Sequence, residues 1–201
     1  MLTLHDFTGS GNGYKVRMML ARLGLPWRLV EHDIRAGATR TPEFLALNPN
    51  GKIPVLVLDD GTALAESNAI LVYLAEGTVF WPADRLARAR CLQWLFFEQY
   101  SHEPAIAVAR FIRHFMPADS PRRAELPALE RKGHAALGVM EQRLARHDWL
   151  AGEYATVADL ALYAYTHCAP EGGFDLEPWP GIRRWLARIA ADPRHVPMAR
   201  R

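Results

Sequence analysis

Near Pro82 the hydrophobic pattern of this 201-residue chain changes from alternating strand and helix signals to helical signals alone, and that change limits the available folds more than any other feature. Before it, residues 2–6 read as a short strand. A helical period opens at Gly13, with Val16, Met19, Leu20 and Leu23 on one face and Gly24 as its stop. Residues 27–32 read as a second strand. After a loop containing Gly37, a short helix runs from Thr41 or Pro42 to Leu47. Residues 55–58 and 62–65 form two further strands across Asp59-Asp60-Gly61, whose Asp-Gly pair suits a hairpin. A helix follows over 67–76, with Ser67 as a fitting N-cap.

Beyond Pro82 the strand signal is gone. Residues 84–115 carry one long helical pattern, bent near Pro104, and 121–146 a second. Thr156-Val157-Ala158-Asp159 fits a variant capping box and opens an apolar helix to about Tyr165. A last helix covers 181–191 and stops at Asp192-Pro193. The expectation is an α/β domain over 1–77 and an all-helical domain over 84–201.

Composition removes several classes of function. Half the residues are hydrophobic and 23% charged, which is ordinary for a globular protein. A formal charge of +2 makes no strong field for nucleic acid. The pairs Arg122-Arg123, Arg183-Arg184 and Arg200-Arg201 are scattered rather than arranged in a stripe. No apolar run approaches the ~20 residues of a membrane helix, and residues 1–6 lack a signal-peptide profile, so a cytoplasmic protein is expected. Cys91 and Cys168 lie far apart in apolar stretches; two thiols make neither a disulfide framework nor a zinc site, and buried free cysteines are expected. The eight histidines show no metal-ligand spacing.

Three stretches carry chemistry. Thr8-Gly9-Ser10-Gly11-Asn12-Gly13-Tyr14-Lys15-Val16 lies between the first strand and the first helix, where free helix amides favour an anion. Ser10 or Asn12 acting only as a helix cap explains it equally. Its glycines lack the spacing of a dinucleotide fingerprint. Asn48-Pro49-Asn50-Gly51-Lys52-Ile53-Pro54 ends in a proline placed for a cis bond, which would expose the backbone of Ile53 to an extended peptide; an ordinary turn before an edge strand is the alternative. Glu66 and Ser67 open a helix and suit the ammonium and carboxylate of an amino-acid head group, although such a pair before a helix is common as a simple cap.

Together these stretches resemble the thioredoxin-like N-terminal domain of cytosolic glutathione transferases. Asn-Pro-x-Gly-Lys-Ile-Pro followed by Glu-Ser-x-Ala-Ile is the most specific part, and the all-helical second domain extends the resemblance over essentially the whole chain. Residues 10–20 are similar to the serine-type classes such as theta and zeta. The resemblance implies that glutathione is the cosubstrate, with no metal. Ser10 would donate to the thiolate. Ile53 would pair through its backbone with the cysteinyl unit beside a cis Pro54. Glu66 and Ser67 would hold the γ-glutamyl end, and Lys52 and Arg40 the glycine carboxylate. Asp159 would have a structural capping role. Asn12, flanked by glycines, is similar to the asparagine of some bacterial members acting mainly on disulfides; that likeness implies Asn12 rather than Ser10 at the sulfur, and both remain candidates.

The absence of cysteine from residues 9–13 excludes a two-cysteine redox mechanism and a cysteine-type transferase. The resemblance implies transfer of the thiolate to a hydrophobic electrophile, with glutathione-dependent disulfide reduction, a non-catalytic interaction protein on the same fold, and a glutathione-dependent isomerase or dehalogenase as alternatives. The electrophile pocket is expected between the domains, beside a long helix on which Arg110 needs an acidic neighbour such as Glu98 or Glu103, or an anionic ligand. A homodimer is implied by the resemblance.

Overall fold

The computed structural model describes residues 1–198; the Arg200-Arg201 pair lies outside them. The chain forms two compact units, one of Met1–Glu76 joined by the segment from Pro193, the other Gly77–Asp192.

The first unit has a four-stranded mixed sheet in the order β2-β1-β3-β4. Strands β1 (Leu2–Asp6) and β2 (Trp27–Glu31) are parallel, with Leu4 opposite Leu29. β3 (Val55–Val57) runs antiparallel both to β1, with Leu4 opposite Leu56, and to β4 (Ala63–Ala65), with Leu56 opposite Leu64. Helix α1 (Gly11–Leu23) makes the crossover between the parallel strands, α2 (Pro42–Leu47) follows β2, and α3 (Ser67–Ala75) packs on α1. Val16, Met19, Leu20, Leu56, Ile70 and Leu71 are wholly buried in this core.

Two helix starts differ from expectation. α1 begins at Gly11, two residues early, because Gly11 and Gly13 have weak helix propensity and hide the first turn from a periodicity reading. Ser67 is the first residue of α3 rather than its cap; Glu66 occupies the cap position at φ 68° and ψ 111°. The tail from Pro193, grouped by sequence pattern with the helical half, instead reaches the first unit: Tyr14 donates to the Val196 carbonyl at 2.7 Å and Arg194 to that of Arg22 at 2.8 Å.

In the second unit the expected long helix is α4 (Arg85–Phe97), a π-helical turn over Glu98–His102, and α5 (Glu103–Phe115). The break precedes Pro104, whose nitrogen cannot donate to a helical carbonyl. α6 (Leu126–Leu144), α7 (Val157–Thr166) and α8 (Pro180–Ala190) complete the bundle. Cys91 and Cys168 are buried free thiols. Arg110 pairs with Glu171 at 2.6 Å, an acid that the sequence reading had not named. No helix among the described residues is long and apolar enough to cross a membrane.

Asp159 ties this bundle together. Its carboxylate is wholly buried and accepts from the Leu150 amide (3.0 Å), the Thr156 amide (2.9 Å) and hydroxyl (3.1 Å), and the Trp185 indole (3.0 Å). Removing the acceptor strands several buried donors, each costing ~1–3 kcal/mol. Asp159→Ala is expected to lower unfolding stability by at least about 3 kcal/mol, read by urea denaturation with Trp fluorescence.

Candidate functional site

Strand register decides which segments meet. β1 and β3 are antiparallel with His5 opposite Val55, so the end of β1 lies beside the start of β3. β3 and β4 are antiparallel with Val55 opposite Ala65, so the start of β3 lies beside the end of β4. Residues 7–12, 52–54 and 66–67 therefore emerge at one end of the sheet.

The first segment brings Ser10 and Asn12. Ser10 holds the N-cap position of α1, yet its hydroxyl caps no helix amide. The simple-cap explanation of Ser10 therefore fails. Its backbone is held by a 2.7 Å bond from its amide to the Phe7 carbonyl. Asn12, in the first turn of the helix, accepts at Oδ1 from the Ser67 hydroxyl at 3.3 Å, which joins the first and third segments directly.

The second segment is shaped by Asn48. Its buried side chain donates to the Lys52 carbonyl at 2.7 Å and accepts from the Asn50 amide at 3.1 Å. Gly51 turns the chain at φ 64°, and a Cβ there would lie 2.4 Å from Arg40 Nη1. The Ile53–Pro54 peptide is cis. Among the described residues neither the N–H nor the C=O of Ile53 has a partner in the chain, leaving both for an extended peptide to use as an added strand does. Arg40 donates to the Asn50 carbonyl at 3.3 Å; it and Lys52 are exposed beside this turn.

The third segment is strained. Glu66 is the only non-glycine with positive φ among the described residues. Such a conformation costs about 1–3 kcal/mol and clusters at ligand clamps. It turns the chain directly from β4 into α3, so the first amides of α3 face the sheet end where Asn12 lies, and their partial positive charge suits an anion. No group of three or more potential metal ligands occurs among the described residues.

Comparison with known proteins agrees with this architecture. Residues 9–76 match the family model of the glutathione S-transferase N-terminal domain, and residues 103–193 that of the C-terminal domain. The chain belongs to the glutathione S-transferase family. It is 54% identical to a glutathione S-transferase from Pseudomonas fluorescens Pf-5, with a TM-score of 0.96 over 98% of each chain. It is 33% identical to the disulfide-bond oxidoreductase YfcG of Escherichia coli, over 93% of this chain and 89% of that one. Yeast Ure2p in complex with glutathione is 26% identical, with a TM-score of 0.87 over 96% of this chain and 90% of that one.

Within this family fold, the loop carrying Ser10 is held by charges that sequence reasoning missed. Glu31, at the end of β2, accepts from the Thr8 amide at 3.1 Å and the Thr8 hydroxyl at 3.0 Å. Arg17 donates to the Thr8 carbonyl at 2.9 Å and lies 3.5 Å from Asp6. Asp6 is wholly buried under α1, so close that a Cβ on Gly13 would fall 1.7 Å from its oxygen. Period-two and helical spacings pass over such residues, because each faces a partner distant in sequence. The one available signal was an acid ending a strand otherwise suited to burial.

Burial pushes the Asp6 carboxyl up to about 7, against the opposing pull of Arg17. The native protein therefore holds this proton more tightly than the unfolded chain. Its stabilising contribution is complete below about pH 4 and is lost as pH rises towards 7. At 1.36 kcal/mol per unit the loss is roughly 4 kcal/mol. Asp6→Asn is expected to abolish this slope, so that stability relative to the unsubstituted protein improves between pH 4 and pH 8 in denaturant titrations; parallel curves would refute the assignment.

Proposed function

We propose that the protein is a glutathione transferase that holds the sulfur of glutathione as a thiolate for attack on an electrophilic carbon of a small hydrophobic molecule. The observation that carries this reading is the meeting of residues 7–12, 52–54 and 66–67 at one sheet end, with the backbone of Ile53 unpaired. In this reading Ile53 pairs with the cysteinyl unit beside Pro54. Glu66 and Ser67 receive the γ-glutamyl amine and carboxylate, and Arg40 and Lys52 receive the glycine carboxylate. Ser10 donates to the sulfur. The family membership and the glutathione bound to Ure2p support the choice of thiol.

The energies suffice. A free thiol has a pKa of ~8.5, so about 3% is ionised at pH 7. One charge-assisted hydrogen bond contributes roughly 1.5–3 kcal/mol, and a helix N-terminus adds ~0.3–1 kcal/mol. A shift of about two units follows at 1.36 kcal/mol each, which ionises most bound thiol near pH 7. Neither a general base nor a metal is required of the chain.

A second reading, glutathione-dependent disulfide reduction, is favoured by the likeness to YfcG and by the Asn12–Ser67 bond. The same thiolate then attacks a disulfide sulfur. A homodimer accords with the exposed apolar face of α4 and the turn after it, where Leu92, Phe96 and Tyr100 recur every four residues and Phe96 and Tyr100 are 69% and 89% exposed. A cytoplasmic location accords with the two free thiols.

Calorimetric titration with glutathione, with thiolate absorbance followed across pH, tests the reading. Saturable binding with a lowered thiol pKa, reversed in Ser10→Ala, is the expected result. Faster turnover of a disulfide than of an aryl halide would give the second reading the lead, and no binding would overturn both in favour of an interaction protein. Light scattering is expected to give twice the 22.6 kDa chain mass; a monomer mass would remove the dimer.

A further inference from the structure

Lys15 is a buried charge at this end of the sheet. It lies in the second turn of α1 and is wholly buried, a rare state for lysine outside a paired setting. Its Nζ lies 3.3 Å from the Ser67 hydroxyl, whose oxygen lies 3.3 Å from Asn12 Oδ1. Asn12 and Lys15 are three residues apart and share a face of α1, and Ser67 opens the neighbouring α3.

The chemistry of the three groups gives the chain one direction. An ammonium has donors and no acceptor, so Ser67 must accept from Lys15. The Ser67 proton is then free to donate onward, and Asn12 must meet it with its carbonyl oxygen. That fixes the orientation of the amide: Oδ1 faces Ser67, and the donor end, Nδ2, faces away. The positive charge at the head of the chain polarises both bonds and strengthens the donor at its far end. The Ser67 proton is committed to Asn12, so an anion at the start of α3 meets the backbone amides of Ser67 and its neighbours rather than this hydroxyl.

We infer that Lys15 is a positioning residue that acts through Ser67 to turn the donor end of the Asn12 amide towards the sulfur of bound glutathione. The inference rests on the reading of this site as a glutathione site. It assigns Asn12 a share in holding the thiolate alongside Ser10, through a residue that touches neither the sulfur nor the electrophile.

The test is the pKa of the bound thiol, followed by thiolate absorbance at saturating glutathione. Lys15→Met is expected to raise it by about one unit, a tenfold change in the thiolate ratio, and Lys15→Arg to restore most of the shift. In an Asn12→Ala background Lys15→Met is expected to add nothing, because the relay has lost its end. A residue that merely packs α1 on α3 would lower the melting temperature without moving the thiol pKa. Should Lys15→Met fail to fold, Ser67→Ala breaks the middle link with both ends in place and is expected to give the same rise. An unmoved thiol pKa in either variant, or additive effects of Lys15→Met and Asn12→Ala, overturns the relay while leaving the glutathione site standing. An unsubstituted protein that binds no glutathione overturns the site and the relay together.

Discussion

Everything at the candidate site depends on the double pairing of β3. A three-residue strand that runs antiparallel to both its neighbours forces the end of β1, the start of β3 and the end of β4 to one end of the sheet. Three segments spread over nearly sixty residues (Ser10 to Ser67) become neighbours through backbone ladders alone. The side chains then refine the meeting: the Asn48 amide closes the turn that leads into Ile53, and the Ser67 hydroxyl ties α3 to Asn12 on α1.

The region is also electrically costly. Asp6, Lys15 and Arg17 are buried together with the first turn of α1, and burial of charge is unfavourable unless each group meets hydrogen bonds or a counter-charge. Arg17 and Glu31 grip Thr8 from its carbonyl and its amide, so the loop before α1 is held from two sides and Ser10 emerges from a fixed frame. Glu66 adds backbone strain at the opposite wall. A rigid, strained and charged wall of this kind suits the recognition of a small zwitterionic peptide, because its donors need no rearrangement when the ligand arrives.

The helical unit depends on a different device. Asp159 gathers donors from the loop before α7, from the cap of α7 and from α8, so one carboxylate holds three segments together. Capping chemistry made Asp159 visible in advance, since an acid at the third helical position is a local pattern. Its bond to Trp185 was not visible, because nothing local links residues 159 and 185. Arg110 illustrates the same limit: its isolation in an apolar run showed that an acid was needed, and only the fold could bring Glu171 to it.

Local chemistry alone was enough to settle the strand and helix order, the change of architecture near Pro82 and the family resemblance, and to mark Pro54 as a candidate for a cis bond. Each of these rests on hydrophobic period, turn residues or short spacing, which act within a few residues. The register of β3, the first-turn place of Ser67 beneath a strained Glu66, the π-helical turn before Pro104 and the buried chain from Lys15 to Asn12 were decided by tertiary structure. They are long-range outcomes, in which a residue takes its role from the partner that packing brings to it. Lys15 shows the difference most clearly: in sequence it is one more charge on an amphipathic helix, and in the fold it is a wholly buried cation against Ser67.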